Sequence, residues 1–87
     1  MPAAQQVYSR PFDRSFFALP VEVRQRIEAQ IDHMGLDLRI FNHYRLSGSR
    51  RCRLRVGVYR VIYSFDVEKN EIELLFVGHR REIYRHL

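Results

Sequence analysis

The sequence predicts an α+β domain in which an N-terminal helical hairpin packs on an antiparallel β-sheet. Three observations carry this. Through the first forty residues the apolar side chains recur every three or four positions, and from Phe41 onward they recur every two. The helical part comes first and the strands follow as a meander, which is the order of an α+β layer arrangement. The 87 residues, 46% of them hydrophobic and including six Phe and five Tyr, suffice for one domain (1–87) with an economical core.

Taken in order, Val7-Tyr8-Ser9 is short and β-prone. Ser9 can cap a helix that begins near Arg10, with Pro11 in its first turn. Phe12, Phe16 and Leu19 then recur at helical spacing, and Phe17 broadens their stripe. Pro20 breaks the pattern and restarts a helix. Val23, Ile27, Ile31 and Met34 form its apolar stripe, Glu22, Arg24, Arg26, Glu28 and Asp32 its polar face, and Gly35 is placed to end it. Tyr44-Arg45-Leu46 reads as a short strand and Ser47-Gly48-Ser49 as a turn.

From Arg51 to Val56 the alternation sets Arg51, Arg53 and Arg55 on one side of a strand and Cys52, Leu54 and Val56 on the other. Gly57 turns the chain into the β-prone run Tyr59 to Asp66. A two-residue loop at Gly57-Val58 would place Arg55 opposite Arg60, whereas a longer loop shifts the register; the sequence is compatible with both. Glu68-Lys69-Asn70 is a second turn, Ile72 to Val77 a last strand, and Gly78 to Leu87 a basic tail.

Charge narrows the function. Fifteen basic residues face ten acidic ones, and of the basic residues only Lys69 is not Arg. Between Leu38 and Phe65 there is no Asp or Glu, while Arg39, Arg45, Arg50, Arg51, Arg53, Arg55 and Arg60 all fall there. Three guanidinium groups two residues apart repel one another, a cost more readily tolerated where an anion bridges them. Arg suits that role, because its planar fork matches phosphate and stacks on bases. Such a face fits a polyanion, and it also fits an acidic partner protein. In the tail, His79 could move a proton near neutral pH. Tyr84 could stack on a base or pack the tail onto the sheet. Arg80, Arg81 and Arg85 add charge.

Other chemistries fit poorly. The sequence has no Cys pair, no His-x₃-His spacing and no Gly-rich phosphate loop, so neither metal nor cofactor is expected. Cys52 alternates into the apolar face, as a buried structural thiol does. Asp66, Glu68, Glu71 and Glu73 cluster around a turn and an exposed strand face, which argues for solvation. No apolar run approaches the roughly 20 residues that span a bilayer. The N-terminus lacks the regions of a signal peptide, and a lone Cys suits a reducing compartment. A cytoplasmic protein without membrane contact is expected.

Phe16-Phe17-Ala18-Leu19-Pro20, Arg55-Val56-Gly57-Val58-Tyr59-Arg60-Val61-Ile62-Tyr63 and Val77-Gly78-His79-Arg80-Arg81-Glu82-Ile83-Tyr84-Arg85 resemble, in this order, the RelE/ParE superfamily of type II toxins. The resemblance spans nearly the whole chain. It implies a compact β-α-α-β-β-β(β) fold and a co-encoded antitoxin that wraps the toxin and masks its basic face. Operator DNA would be met only through that antitoxin. RelE-like members enter the ribosomal A site and cut mRNA, whereas ParE-like members inhibit DNA gyrase. The Gly-x-Tyr-Arg turn and Gly-His-Arg-Arg tail are more similar to the RelE branch, which implies a ribosome-dependent endoribonuclease that inhibits translation.

On that resemblance Arg53, Arg60, Arg80, His79 and Tyr84 are the catalytic candidates, and Arg45, Arg50, Arg51, Arg55, Arg81 and Arg85 bind RNA. Arg51 and Arg53 stand where some RelE-like members carry Lys. Arg does not release its proton in proteins and is a poor general base, so either His79 or Tyr84 would accept the proton, or no strong base serves and the rate is modest. The same departure leaves open a gyrase inhibitor, or an inactive toxin that serves mainly in antitoxin-bound repression.

Overall fold

The computed structural model describes residues 2–86. Met1 and Leu87, the ends of the N-terminal segment and of the basic tail, lie outside the described residues. The elements run β1 (Gln5–Tyr8), α1 (Arg10–Phe17), α2 (Val21–Leu36), β2 (Tyr44–Arg45), β3 (Cys52–Val56), β4 (Tyr59–Asp66), β5 (Glu71–His79) and a C-terminal 3-10 turn (Ile83–His86). The five strands form one sheet in the order β1-β5-β4-β3-β2. Strands β2 to β5 make the expected antiparallel meander. The sheet as a whole is mixed, because β1 joins its far edge parallel to β5. The chain between them holds both helices and β2 to β4, which supplies the long connection that parallel pairing requires.

Local chemistry explains the helix ends. The Ser9 hydroxyl accepts from the Phe12 amide at 3.1 Å and donates to the Leu75 carbonyl at 2.6 Å. Ser9 thus both caps α1 and ties it to β5, where Leu75 is left unpaired by a bulge opposite Ile62/Tyr63. Phe12 and Phe16 are buried, but Phe17 is 65% exposed and does not broaden the buried stripe. Gly35 does not end α2. The helix runs on to Leu36 and is capped by Asp37, while Gly35 is buried against Ala4 and Ile72 and its carbonyl accepts from the Ala4 amide. The bare Cα serves close packing there.

The core lies between the helices and one sheet face: Phe12, Phe16, Ile27, Ile31 and Met34 meet Cys52, Leu54, Val56, Val61, Tyr63, Ile72, Leu74 and Val77. Cys52 is a free, buried thiol, as its alternation implies. No helix among the described residues is long and apolar enough to cross a membrane.

Candidate nucleic-acid interface

The site is built on the sheet face turned away from the helices. Residues paired across antiparallel strands share a face, so the register sorts the candidates. Gly57 has φ +59 while Val58 stays at negative φ, the type II′ pattern of a two-residue hairpin. Arg55 therefore pairs with Arg60, Arg53 with Ile62, and Tyr44 with Arg53. Arg53, Arg55, Arg60, Ile62, Phe76 and Gly78 all fall on the outer face, opposite the buried Cys52, Leu54 and Val56. Across it lies the C-terminal turn: Ile83 is buried, and its side chain reaches 3.4 Å from where a Cβ on Gly78 would stand. Ile62, on the same face, is also buried.

The turn brings Tyr84 to β3. Arg53 donates from Nη1 to the Tyr84 hydroxyl at 3.4 Å, and its guanidinium carbon sits 4.0 Å from the centroid of the Tyr44 ring. The phenol contact, more than its other surroundings, holds the Arg53 guanidinium above its ordinary range. Tyr44 is 57% exposed and Tyr84 41% exposed. Arg51 extends over Phe76 at 5.5 Å. It also borders, with Tyr84, Leu46, Ser47 and Ser49, a recess of about 340 Å³ beside the site. Guanidinium planes on aromatic rings, with further ring surface open, can take both the phosphates and the bases of a single strand.

Arg60 is on this face but is not free on it. It is 7% exposed and donates from Nη1 to the carbonyls of Gly57 and Tyr59, both at 2.8 Å. It braces the β3–β4 hairpin that presents Arg55. Arg80 is exposed beside the same hairpin, its amide bonded to the Val58 carbonyl. Arg50, Arg81 and Arg85 are exposed on the connecting loop and the tail.

Two candidates stand elsewhere. Arg45 pairs with Cys52, so it leaves β2 toward the helix side and lies over the Phe65 ring at 5.9 Å. His79 belongs to β5, not to a free tail. It pairs with Tyr59, which pairs with Val56, so its ring lies on the helix side at the end of the sheet. There Nδ1 accepts from the Arg81 amide at 3.1 Å.

Tyr44 was not singled out from the sequence, although an exposed Tyr on an edge strand facing an Arg-rich one is a usable signal. His43 was also passed over. Its Nε2 donates to the Leu38 carbonyl at 2.8 Å, since a carbonyl can only accept. A neutral ring then accepts at Nδ1 from the Tyr63 hydroxyl at 2.6 Å, and the ring stacks on Phe65 at 3.7 Å. This pins the loop before β2, and so Tyr44, to the sheet. Among the described residues no cluster of His, Cys, Asp and Glu has the arrangement of a metal site.

Comparison with known proteins agrees with this architecture. The isolated RelE toxin of E. coli superposes with a TM-score of 0.76 at 18% identity, covering 97% of this chain and 94% of that one. The RelBE2 toxin–antitoxin complex of Mycobacterium tuberculosis gives 0.73 at 21%, covering 94% and 97%. The RelB–RelE complex of Methanococcus jannaschii gives 0.72 at 22%, covering 93% and 98%. No curated protein sequence matches significantly. The family model for the ParE toxin of type II toxin–antitoxin systems, parDE, matches residues 7–84. With that match over most of its length, the chain belongs to the ParE toxin family and is a type II toxin of the RelE/ParE superfamily.

Proposed function

We propose that this toxin is a ribosome-dependent mRNA endonuclease whose RNA contact is the outer sheet face, with a cognate antitoxin as its resting partner. The observation that carries the reading is the Arg53 guanidinium, set between an exposed Tyr44 ring and the Tyr84 hydroxyl and flanked by Arg51 and Arg55.

In this reading the 2′-oxygen of an RNA nucleotide attacks its own 3′ phosphorus. The 2′-O–P bond forms, the P–O5′ bond breaks, the 2′ proton leaves to an acceptor and the departing 5′ oxygen takes up a proton. Charge grows on the phosphoryl oxygens, and Arg51, Arg53 and Arg55 are preplaced to stabilise it. The ribosome supplies alignment of the message. With His79 on the other side of the sheet, Tyr84 is the remaining proton-exchanging candidate beside the arginines; its oxygen accepts from Arg53, so its own O–H is left to donate toward the departing oxygen. Arg60 acts through the hairpin as a positioning residue.

Inhibition of DNA gyrase is the second reading, favoured by the match to the ParE family and by the displacement of His79 from the arginine face. Expression of the chain without its antitoxin in growing bacteria separates the two. An immediate fall in amino-acid incorporation, lost in Arg53→Ala, supports cleavage. A DNA-damage response with incorporation initially intact supports gyrase inhibition.

A further inference from the structure

The platform that holds Arg53 stands on a short strand. Strand β2 is only Tyr44–Arg45, with Tyr44 paired to Arg53 and Arg45 to Cys52. A pairing this short at a sheet edge contributes little stability by itself. After it, the Leu46 amide donates to the Arg51 carbonyl at 2.8 Å and closes the turn into β3. Before it, the chain arrives from a surface loop in which Ile40 is 79% exposed. His43 supplies the hold on that side. Its Nε2 donates to the carbonyl of the buried Leu38 at 2.8 Å, and its Nδ1 accepts from the Tyr63 hydroxyl at 2.6 Å. The ring stacks on Phe65, 3.7 Å between centroids with the planes 14° apart. Together these contacts fix both the position of the imidazole and its tautomer.

We propose that His43 is a positioning residue for RNA cleavage, which through Leu38 and Tyr63 sets Tyr44, and through Tyr44 the Arg53 guanidinium. The proposal rests on the cleavage reading above, in which Arg53 stabilises the phosphoryl charge. Tyr63 is fully buried and pairs with Cys52, so the contacts of His43 lie on the helix side of the sheet. Tyr44, the next residue, meets Arg53 on the outer face, with the guanidinium carbon 4.0 Å from its ring centroid. Adjacent residues of an extended chain point to opposite faces. The anchor and the arginine platform therefore share one stretch of backbone, and slack in the first becomes displacement of the second. A displacement of about 1 Å at reacting groups can cost roughly 100-fold in rate. His43 does this from the side of the sheet away from the RNA, so it is no catalytic residue.

Two readouts on the full chain test it. The first needs no activity: the Tyr44 ring current shifts the NMR signals of the Arg53 methylene protons, and Tyr44→Leu gives their values without it. His43→Phe keeps a ring on Phe65 and deletes both hydrogen bonds, so most of the shift is lost. His43→Gln, which can still donate to Leu38, restores part of it. Tyr63→Phe deletes only the hydroxyl and gives a smaller loss of the same sign, which keeps the test sound should His43→Phe not fold. The second readout is single-turnover cleavage of ribosome-bound message. It falls about tenfold in His43→Phe, short of the full cost of a displaced reacting group, and recovers partly in His43→Gln. Added to Tyr44→Leu, His43→Phe costs no more than about twofold further, because residues acting through one another are not additive. Ring-current shifts that match wild type in both His43→Phe and Tyr63→Phe overturn the proposal. So does a loss of cleavage that is undiminished on the Tyr44→Leu background, since His43 would then serve stability alone. A wild-type chain that cuts no message defeats the cleavage reading and the role of His43 in it, a failure told apart by a ring-current shift that still depends on His43.

Discussion

The guanidinium of Arg53 lies over the ring of Tyr44, 4.0 Å from its centroid. The two come from paired strands and meet directly across the ladder. A cation–π contact of this kind at an exposed site contributes about 0.5–1 kcal/mol. More to the point, it restrains a flexible arginine before any RNA arrives, which lowers the ordering cost of binding.

Tyr84→Phe keeps the ring and deletes the hydroxyl that Arg53 bonds at 3.4 Å. Proton transfer by a placed side chain contributes roughly 100-fold or more. Single-turnover cleavage should fall by about that factor, while thermal stability changes little because the bond is exposed. Equal rates in wild type and variant would remove Tyr84 from the chemistry.

His79→Ala should leave cleavage within about threefold of wild type, since a distant substitution couples weakly to the site. The imidazole stands on the helix side with Nδ1 occupied by the Arg81 amide. The same single-turnover assay checks this, and a large loss would mean the tail rearranges on the ribosome.

Arg60→Ala removes a buried guanidinium from the Gly57 and Tyr59 carbonyls. Bonds to a charged group contribute about 1.5–3 kcal/mol each, with some relief from solvent at a hairpin end, so a net loss of about 2 kcal/mol is expected in urea unfolding. Toxicity falls with stability. Arg60→Lys, which keeps the charge but replaces the rigid planar group that holds Nη1 between the two carbonyls with a flexible ammonium, should lie between. A variant of unchanged stability but abolished activity would instead make Arg60 a direct RNA contact.

Alkaline pH should weaken the fold. Burial first of all raises the Cys52 thiol above its ordinary 9.0 and the Tyr63 phenol far above its ordinary 10.0, with Cys52 adding to the latter. The unfolded chain releases both protons at the ordinary values and the folded chain resists. The stability these groups contribute is thus complete below the unfolded values and is lost as pH rises through the folded ones, at up to about 1.4 kcal/mol per pH unit for each group. Urea midpoints from about pH 8 to 10.5 measure it. Cys52→Ala should flatten the onset and Tyr63→Phe the later fall; a flat wild-type profile would contradict the assignment.

Much of this was legible in the sequence because it rests on local chemistry. Period two in Arg51 to Val56 sorts arginines from core residues wherever the strand is placed, and Ser9 caps a helix from its own side chain. The site was less legible because it depends on register. Whether Arg55 faces Arg60 depends on the two-residue turn at Gly57-Val58, in which Gly57 takes φ +59. Arg45 and Tyr44 sit one residue apart, and only pairing with β3 decides which of them joins Arg53. His79 reads as tail by composition, yet β5 extends through it because β4 is long enough to pair there. The parallel placement of β1 comes from a contact more than sixty residues distant, between Val7 and Glu73, which no local pattern encodes.

The most direct test of the central claim is translation of a defined message in a purified cell-free system, with the 5′ ends of the fragments mapped, for wild type and Arg53→Ala, with and without ribosomes. The account predicts cuts at codons in the A site that require ribosomes and are lost or greatly slowed in Arg53→Ala. A message that stays intact with wild-type protein and translating ribosomes would contradict it and move the assignment to gyrase.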